Sequence, residues 1–161
     1  MNLTYRKATV NDVELLVNTR VSLIDEDSGL NENEKKDLYD SNKEYMQTAM
    51  KQEIFIAFLA FDGDVFVGTA SACLYAVLPG KKLPKGRNAY IQNVYVVPSY
   101  RRHGIGKKII SMLIDEVKRR DYTRITLHAT KMGRDLFRNC GFQNSENLGL
   151  TEMVYIAHHI E

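Results

Sequence analysis

The stretch AYIQNVYVVPSYRRHGIGKK, residues 89–108, decides how this chain is read. Residues 89–97 are rich in valine, isoleucine and tyrosine and stop at Pro98, which predicts a strand. Beyond the turn at 99–103, Ile105, Ile109, Leu113 and Val117, with Ile110 and Ile114 beside them, recur at helical spacing. They predict an amphipathic helix running to about Arg120. The first amides of a helix have no partner inside it, and the helix dipole makes that end attractive to anions. Gly104 and Gly106 remove Cβ atoms from the turn, and Arg101, Arg102, Lys107 and Lys108 surround it with positive charge. Such a turn suits a pyrophosphate. It is neither of the two common phosphate loops. The pattern GxxxxGK[ST] is missing, and the dinucleotide fingerprint GxGxxG fails because residue 109 is isoleucine.

Outward from this stretch, the hydrophobic periodicity orders the remaining elements. Residues 3–8 alternate as a first strand, and Asn11 or Asp12 caps a helix carrying Val13, Leu16, Val17, Val21 and Ile24. A second helix covers 33–51. Residues 54–61 and 65–75 read as strands around Asp62-Gly63-Asp64, a strong hairpin signal, and 78–87 form a basic, turn-rich loop. After the central helix come a strand at 124–129, a short helix at 132–140 stopped by Gly141 in a left-handed conformation, and a last strand at 150–157. The order β-α-α-β-β-β-α-β-α-β predicts an α+β fold with three layers, α/β/α. Its central sheet is mixed and mostly antiparallel, with helices on both faces. No repeat or linker interrupts residues 1–161, so one domain is expected.

The central stretch resembles the GNAT superfamily of acyl-coenzyme A-dependent N-acetyltransferases. The family mark is Arg/Gln-x-x-Gly-x-Gly/Ala after a strand ending in Val-x-Pro, present here from Val96 through Arg101 to Gly106. A second mark, a short helix ending in Gly-Phe, is present as Leu136-Phe137-Arg138-Asn139-Cys140-Gly141-Phe142. The resemblance implies an enzyme, with acetyl-CoA as co-substrate and its pyrophosphate on the amides of Arg101, Arg102, His103, Gly104, Ile105, Gly106 and Lys107. It further implies that the pantetheine arm lies along Val94, Tyr95 and Val96 like an added strand, with the Val94 amide aimed at the thioester oxygen. Phe137 is implied near the coenzyme. The acetyl group would pass directly to a primary amine in a ternary complex.

Two departures from the family pattern bear on proton transfer. Many relatives carry a glutamate base on the coenzyme strand, where this chain has Tyr90, with neutral Gln92 and Asn93 following. Glu152 or Glu26 is left to order a water in its place. Many relatives also carry a tyrosine acid where this chain has Phe137, and an asparagine seven residues earlier where it has Thr130. The thiolate needs little help to leave, so Tyr95, Tyr90 or a water remains as acid. His103 reads as solvated in the turn, His128 as a satisfied core histidine, and Cys140 as a buried small hydrophobe. His158-His159 lacks further ligands, so no metal is expected.

Composition bounds the remaining possibilities. Of 161 residues, 44% are apolar and 26% charged, enough for one packed core. The net charge of +2 hides an asymmetry: residues 22–46 carry eight acids against three lysines, whereas 81–138 carry fifteen Lys and Arg against four acids. The family places its acceptor among the first helices, so this acidity, with Tyr39 and Tyr45, favours a small cationic amine. Two distant cysteines, no secretory h-region and no long apolar run predict a reduced, cytoplasmic protein without a membrane span. The basic loop lacks a recognition helix or aromatic platform, so no nucleic acid is expected. Three readings stay open beside the main one: a coenzyme-binding sensor without catalysis, a protein amine as acceptor, and the homodimer common among relatives.

Overall fold

The computed structural model describes residues 1–150, 153 and 154. Backbone contacts divide it into two compact units, Met1–His128 and Ala129–Glu161. The first unit contains strands β1 (Leu3–Lys7), β2 (Phe55–Asp62), β3 (Val65–Ala76), β4 (Arg87–Val96) and β5 (Arg124–Leu127). Helices α1 (Val13–Ser28), α2 (Glu32–Lys51) and α3 (Ile105–Arg119) belong to the same unit. The second unit holds α4 (Arg134–Asn139) and a 3-10 turn at Ser145–Leu148. The expected last strand at 150–157 lies outside the described residues, as do Glu152 and His158-His159.

The five strands line up in chain order. Neighbours from β1 to β4 pair antiparallel, and β4–β5 is parallel. A parallel partner needs a crossover, and α3 supplies it. Gly63, at φ 58, makes the β2–β3 turn, the left-handed conformation that the Asp-Gly-Asp signal demands. Alternation along each strand sends Phe55, Ala57 and Leu59 to one face, where they join Val13, Leu16, Val17, Met46 and Ala49 of α1 and α2. Each large side chain buried this way contributes roughly 1.5–3 kcal/mol.

The opposite face receives α3, through Ile105, Ile109, Ile110, Leu113 and Val117. Gly68 of β3 permits that approach, since a Cβ there would come within 2.9 Å of Tyr95 O and 3.3 Å of Ile109 Cδ1. The three layers are therefore those the sequence predicts. Helix α3 also buries Glu116, a carboxylate the apolar pattern gives no sign of. It is met by Lys7 Nζ at 2.9 Å, by Arg120 Nε at 2.8 Å and by Arg119.

Strand β4 is irregular on both of its sides. Its pairing with β5 ends at Ile91 opposite Leu127, while β4 itself continues to Val96. On its other side the β3 ladder breaks between Thr69 and Ser71: β3 spends one residue, Ala70, where β4 spends Asn93 and Val94. This is a β-bulge, and Asn93 adopts φ 55 to make it. Asparagine is one of the few side chains that tolerates this conformation.

Candidate functional site

The turn between β4 and α3 is built from main chain. Arg102 and Gly104 are both left-handed, at φ 67 and 78. Glycine adopts this freely, but for arginine it costs roughly 1–2 kcal/mol. The result is a row of outward amides: among the described residues, those of Arg102, His103, Gly104, Ile105, Gly106 and Lys107 donate to no backbone oxygen. Helical bonding resumes only with Lys108 N to Gly104 O, 3.0 Å. Side chains of Arg101, Arg102, His103, Lys107 and Lys108 are exposed around this row, and buried Ile105 anchors it. His103 Nδ1 lies 3.3 Å from Tyr100 O.

Arg101 is placed differently from the other residues of the turn. Its amide closes the turn on Pro98 O at 3.2 Å, and its Nε donates to Val96 O at 3.0 Å. The free row therefore begins one residue later than the sequence motif, and Arg101 fastens the turn to the end of β4.

Among the described residues, that end of β4 is an open edge. Val97 N donates to Val67 O at 2.9 Å and Tyr95 sits opposite Thr69, so odd positions here bond towards β3. Alternation then turns the amides of Val94 and Val96 to the other side, where β5 has ceased to pair. Tyr95 is half-buried on the face that receives α1 and α2. A diphosphate on the free amides and an extended arm along Val94 and Val96 thus fit the residues present.

On the same face as Tyr95, α1, α2 and the sheet enclose a pocket of about 50 Å³. It is lined by Arg20, Asn42, Tyr45, Ser71, Gln92 and Asn93, with Met46 and Phe55 behind. Three of these are internally tied. Tyr45 Oη donates to Cys73 Sγ at 3.2 Å, Gln92 Nε2 to the same sulfur at 2.8 Å, and Ser71 Oγ to Gln92 O at 2.9 Å. Burial, with the bond to Cys73, pushes the Tyr45 hydroxyl up to about 12. Burial also raises the Cys73 thiol, outweighing the two hydrogen bonds it accepts, so the sulfur is no nucleophile at neutral pH.

Asn93 is 5% exposed, its Nδ2 reaches Leu16 O at only 3.5 Å, and among the described residues its Oδ1 has no hydrogen-bond partner. A buried oxygen left in this state costs about 1–3 kcal/mol.

None of the eight acids of residues 22–46 lines this pocket. Several sit on solvent faces beside lysines: Asp25 with Lys35 at 2.9 Å and Asp40 with Lys36 at 2.8 Å. Lys43 reaches Glu14 at 3.1 Å and stands over the Tyr39 ring. Glu26 is exposed and absent from the lining. The two helices contribute Arg20, Asn42, Tyr45 and Met46 to the lining.

Tyr90 lies on the same face, paired across from Cys73. Its hydroxyl meets His128 Nδ1 at 2.7 Å, with the rings edge to face at 5.5 Å. His128 is exposed just past the end of β5, so the expectation of a core histidine is corrected: the strand stops at Leu127 and releases it. No group of three or more potential metal ligands occurs among the described residues.

In the second unit, Phe137 is buried on α4, with Phe142 edge-on at 6.0 Å. Gly141, at φ 92, ends the helix as its position predicts. Cys140 is half-buried, not buried, because it falls at the helix terminus. Thr130 accepts from Gly133 N through both its carbonyl and its hydroxyl, at 3.0 and 3.3 Å, and so shapes the turn before α4.

A model of the acetyltransferase (GNAT) family matches residues 21–142. A crystal structure of a predicted acetyltransferase with acetyl-CoA from Clostridium acetobutylicum superposes with a TM-score of 0.81 at 29% identity, covering 98% of this chain and 99% of that one. A histone acetyltransferase of Glycine max is 36% identical over 72 residues, 45% of this chain and 31% of its own. A thialysine N-epsilon-acetyltransferase of Bos taurus is 35% identical over 63 residues, 37% of each protein. These matches span only about a third of the length of the curated relatives.

Proposed function

The chain belongs to the acetyltransferase (GNAT) family, and from that premise we propose that it transfers the acetyl group of acetyl-CoA to the primary amine of a small molecule, by direct attack in a ternary complex. The observation that carries this reading is the row of six unbonded amides at 102–107 leading from the open edge of β4. The diphosphate rests on the row, held by amide dipoles and by Arg102 and Lys107. The pantetheine arm extends along Val94 and Val96 as an added strand. It delivers the thioester carbonyl to the Val94 amide, which stabilises the oxyanion of the transition state.

An amine reaches the site as an ammonium and must lose a proton before attack. Tyr90 stands where the resemblance places a glutamate, and it is already hydrogen-bonded to His128. In our reading this pair takes the proton, Tyr90 relaying it to the imidazole, the side chain best suited to proton transfer near neutral pH. The nitrogen attacks the carbonyl carbon, the C–N bond forms as the C–S bond breaks, and coenzyme A leaves as a thiolate. The small pocket beside Gln92 and Asn93 favours a small acceptor over a protein chain. Named relatives act on a lysine analogue and on histones, so both acceptor classes enter the test.

Thiol release should follow mixing of the protein, acetyl-CoA and a panel of small amines, and histone peptides should give less. In Tyr90→Phe and His128→Gln, kcat should fall about 10²-fold with coenzyme affinity unchanged. Absence of thiol release above hydrolysis with every amine would overturn the activity, and unaltered kcat in both variants would overturn the proton route alone.

A further inference from the structure

Arg20 is the feature of the pocket that acetyl transfer alone leaves unused. It is half-buried on α1, it is the one charged side chain in the lining, and among the described residues it forms no hydrogen bond or ion pair. Cations on the solvent faces of α2 behave otherwise: Lys35, Lys36 and Lys43 each hold a carboxylate. Arginines withdrawn from water are ordinarily paired, and the planar guanidinium fork matches a carboxylate in particular.

The rest of the lining has the opposite need. Asn93 Oδ1 is buried and, among the described residues, lacks a donor. The Tyr45 and Ser71 hydroxyls have spent their protons on Cys73 and on Gln92 O, so towards the pocket they can only accept. Asn42 gives one Nδ2 hydrogen to Leu38 O at 2.8 Å, which leaves its Oδ1 as an acceptor and its second Nδ2 hydrogen as a donor. The cavity therefore offers one positive side chain, several hydrogen-bond acceptors, and the second amide hydrogens of Asn42 and Gln92. Its complement is a compact molecule carrying a negative group and N–H donors together.

We propose that the acceptor is a small amine that also bears a carboxylate, with Arg20 binding the carboxylate and the amino group set beside Asn93. This rests on the acetyltransferase reading and narrows its substrate class. It differs from the small cationic amine that the charge of residues 22–46 suggests, because those acids do not line the pocket.

The test compares matched pairs of acceptors, each a free amino acid or its carboxamide, by thiol release from acetyl-CoA. Diamines and short peptides serve as further arms. The carboxylate member should have a kcat/KM about tenfold or more above its amide. Arg20→Gln should abolish that preference by raising KM for the carboxylate form, with coenzyme A affinity by calorimetry unchanged, and Arg20→Lys should keep part of it. Equal turnover of pair members, a preference for diamines, or a preference that survives Arg20→Gln would overturn the proposal while leaving the acetyltransferase reading intact. Absence of transfer to any amine would overturn both.

Discussion

The turn that follows β4 and the pocket that β4 helps to line are made of different material. The turn is main chain: six successive amides freed by two left-handed residues, in an unbroken run of sequence. The pocket is side chain: Arg20 from α1, Asn42 and Tyr45 from α2, Ser71 from β3, Gln92 and Asn93 from β4. The difference teaches where each kind of specificity is stored. A diphosphate is common to every use of the coenzyme and can be held by backbone that almost any side chains would supply. An acceptor is particular, and its recognition has to be assembled from distant residues that only the topology brings together.

If that division is right, the largest single effect should come from altering the backbone site. Gly104→Asp sets a carboxylate beside the diphosphate. Two such charges at about 4 Å repel by about 4 kcal/mol at intermediate dielectric, so coenzyme affinity should fall about 10²- to 10³-fold by calorimetry. Gly104→Asn separates charge from conformation. Asparagine tolerates the φ of 78, and no atom lies within 4 Å of the new Cβ, so the loss should be under about tenfold. Equal losses in the two variants would show that strain matters here, not the anion.

A smaller and opposite pattern is expected in the pocket. Asn93→Gly removes an oxygen without a partner and relieves a positive φ. Unfolding free energy measured with denaturant should be unchanged or higher by up to about 1 kcal/mol, while the acceptor KM rises about tenfold. Asn93 would then have traded stability for recognition. Loss of stability with unchanged KM would assign it to the bulge alone.

The smallest effect concerns the support of α1, which carries Arg20. Asp12 receives Arg6 Nη1 at 2.8 Å and Nη2 at 2.7 Å, and Thr9 N at 2.7 Å, at the entry to that helix. The Arg6 hydrogen bond, ahead of burial acting the other way, holds its carboxyl below the usual 3.8. Because the folded value is the lower one, the contribution is complete above about pH 4 and disappears as pH falls through the depressed value. Asp12→Asn should cost at most about 1 kcal/mol at pH 7 and progressively less as pH falls through the depressed value, seen as thermal melting curves that converge in acid. A constant gap across that range would remove the ion pair from the account.

The same division explains what could be read before any coordinates. The five described strands, the helices, the Gly63 turn and the run of free amides followed from local pattern, since each depends on residues a few positions apart. Arg20 carried no signal: an arginine on an amphipathic helix looks ordinary until α2 and β4 close around it. Asn93 did carry one, a poor strand former inside a run of valine and tyrosine, and it marked the bulge. Tyr90 and His128 are 38 residues apart, and only the parallel β4–β5 pairing brings them to 2.7 Å. The acidic segment does not line the pocket, for a simple reason. Charge counted along a chain says nothing of which helix face it occupies, and the lysines interleaved with those acids already held them at the solvent.

The unpaired end of β4 has a further consequence, for the handling of the protein. An exposed strand edge will pair with any extended chain that reaches it, including another copy of itself. Here the bulge at Asn93 and the bond from Arg101 to Val96 O shorten the stretch at risk without closing it. A bound coenzyme would cover the remainder, and at a hundred times its dissociation constant it adds about 2.7 kcal/mol to the folded state. Shelf life and resistance to aggregation should therefore track coenzyme content as closely as they track any substitution in the core.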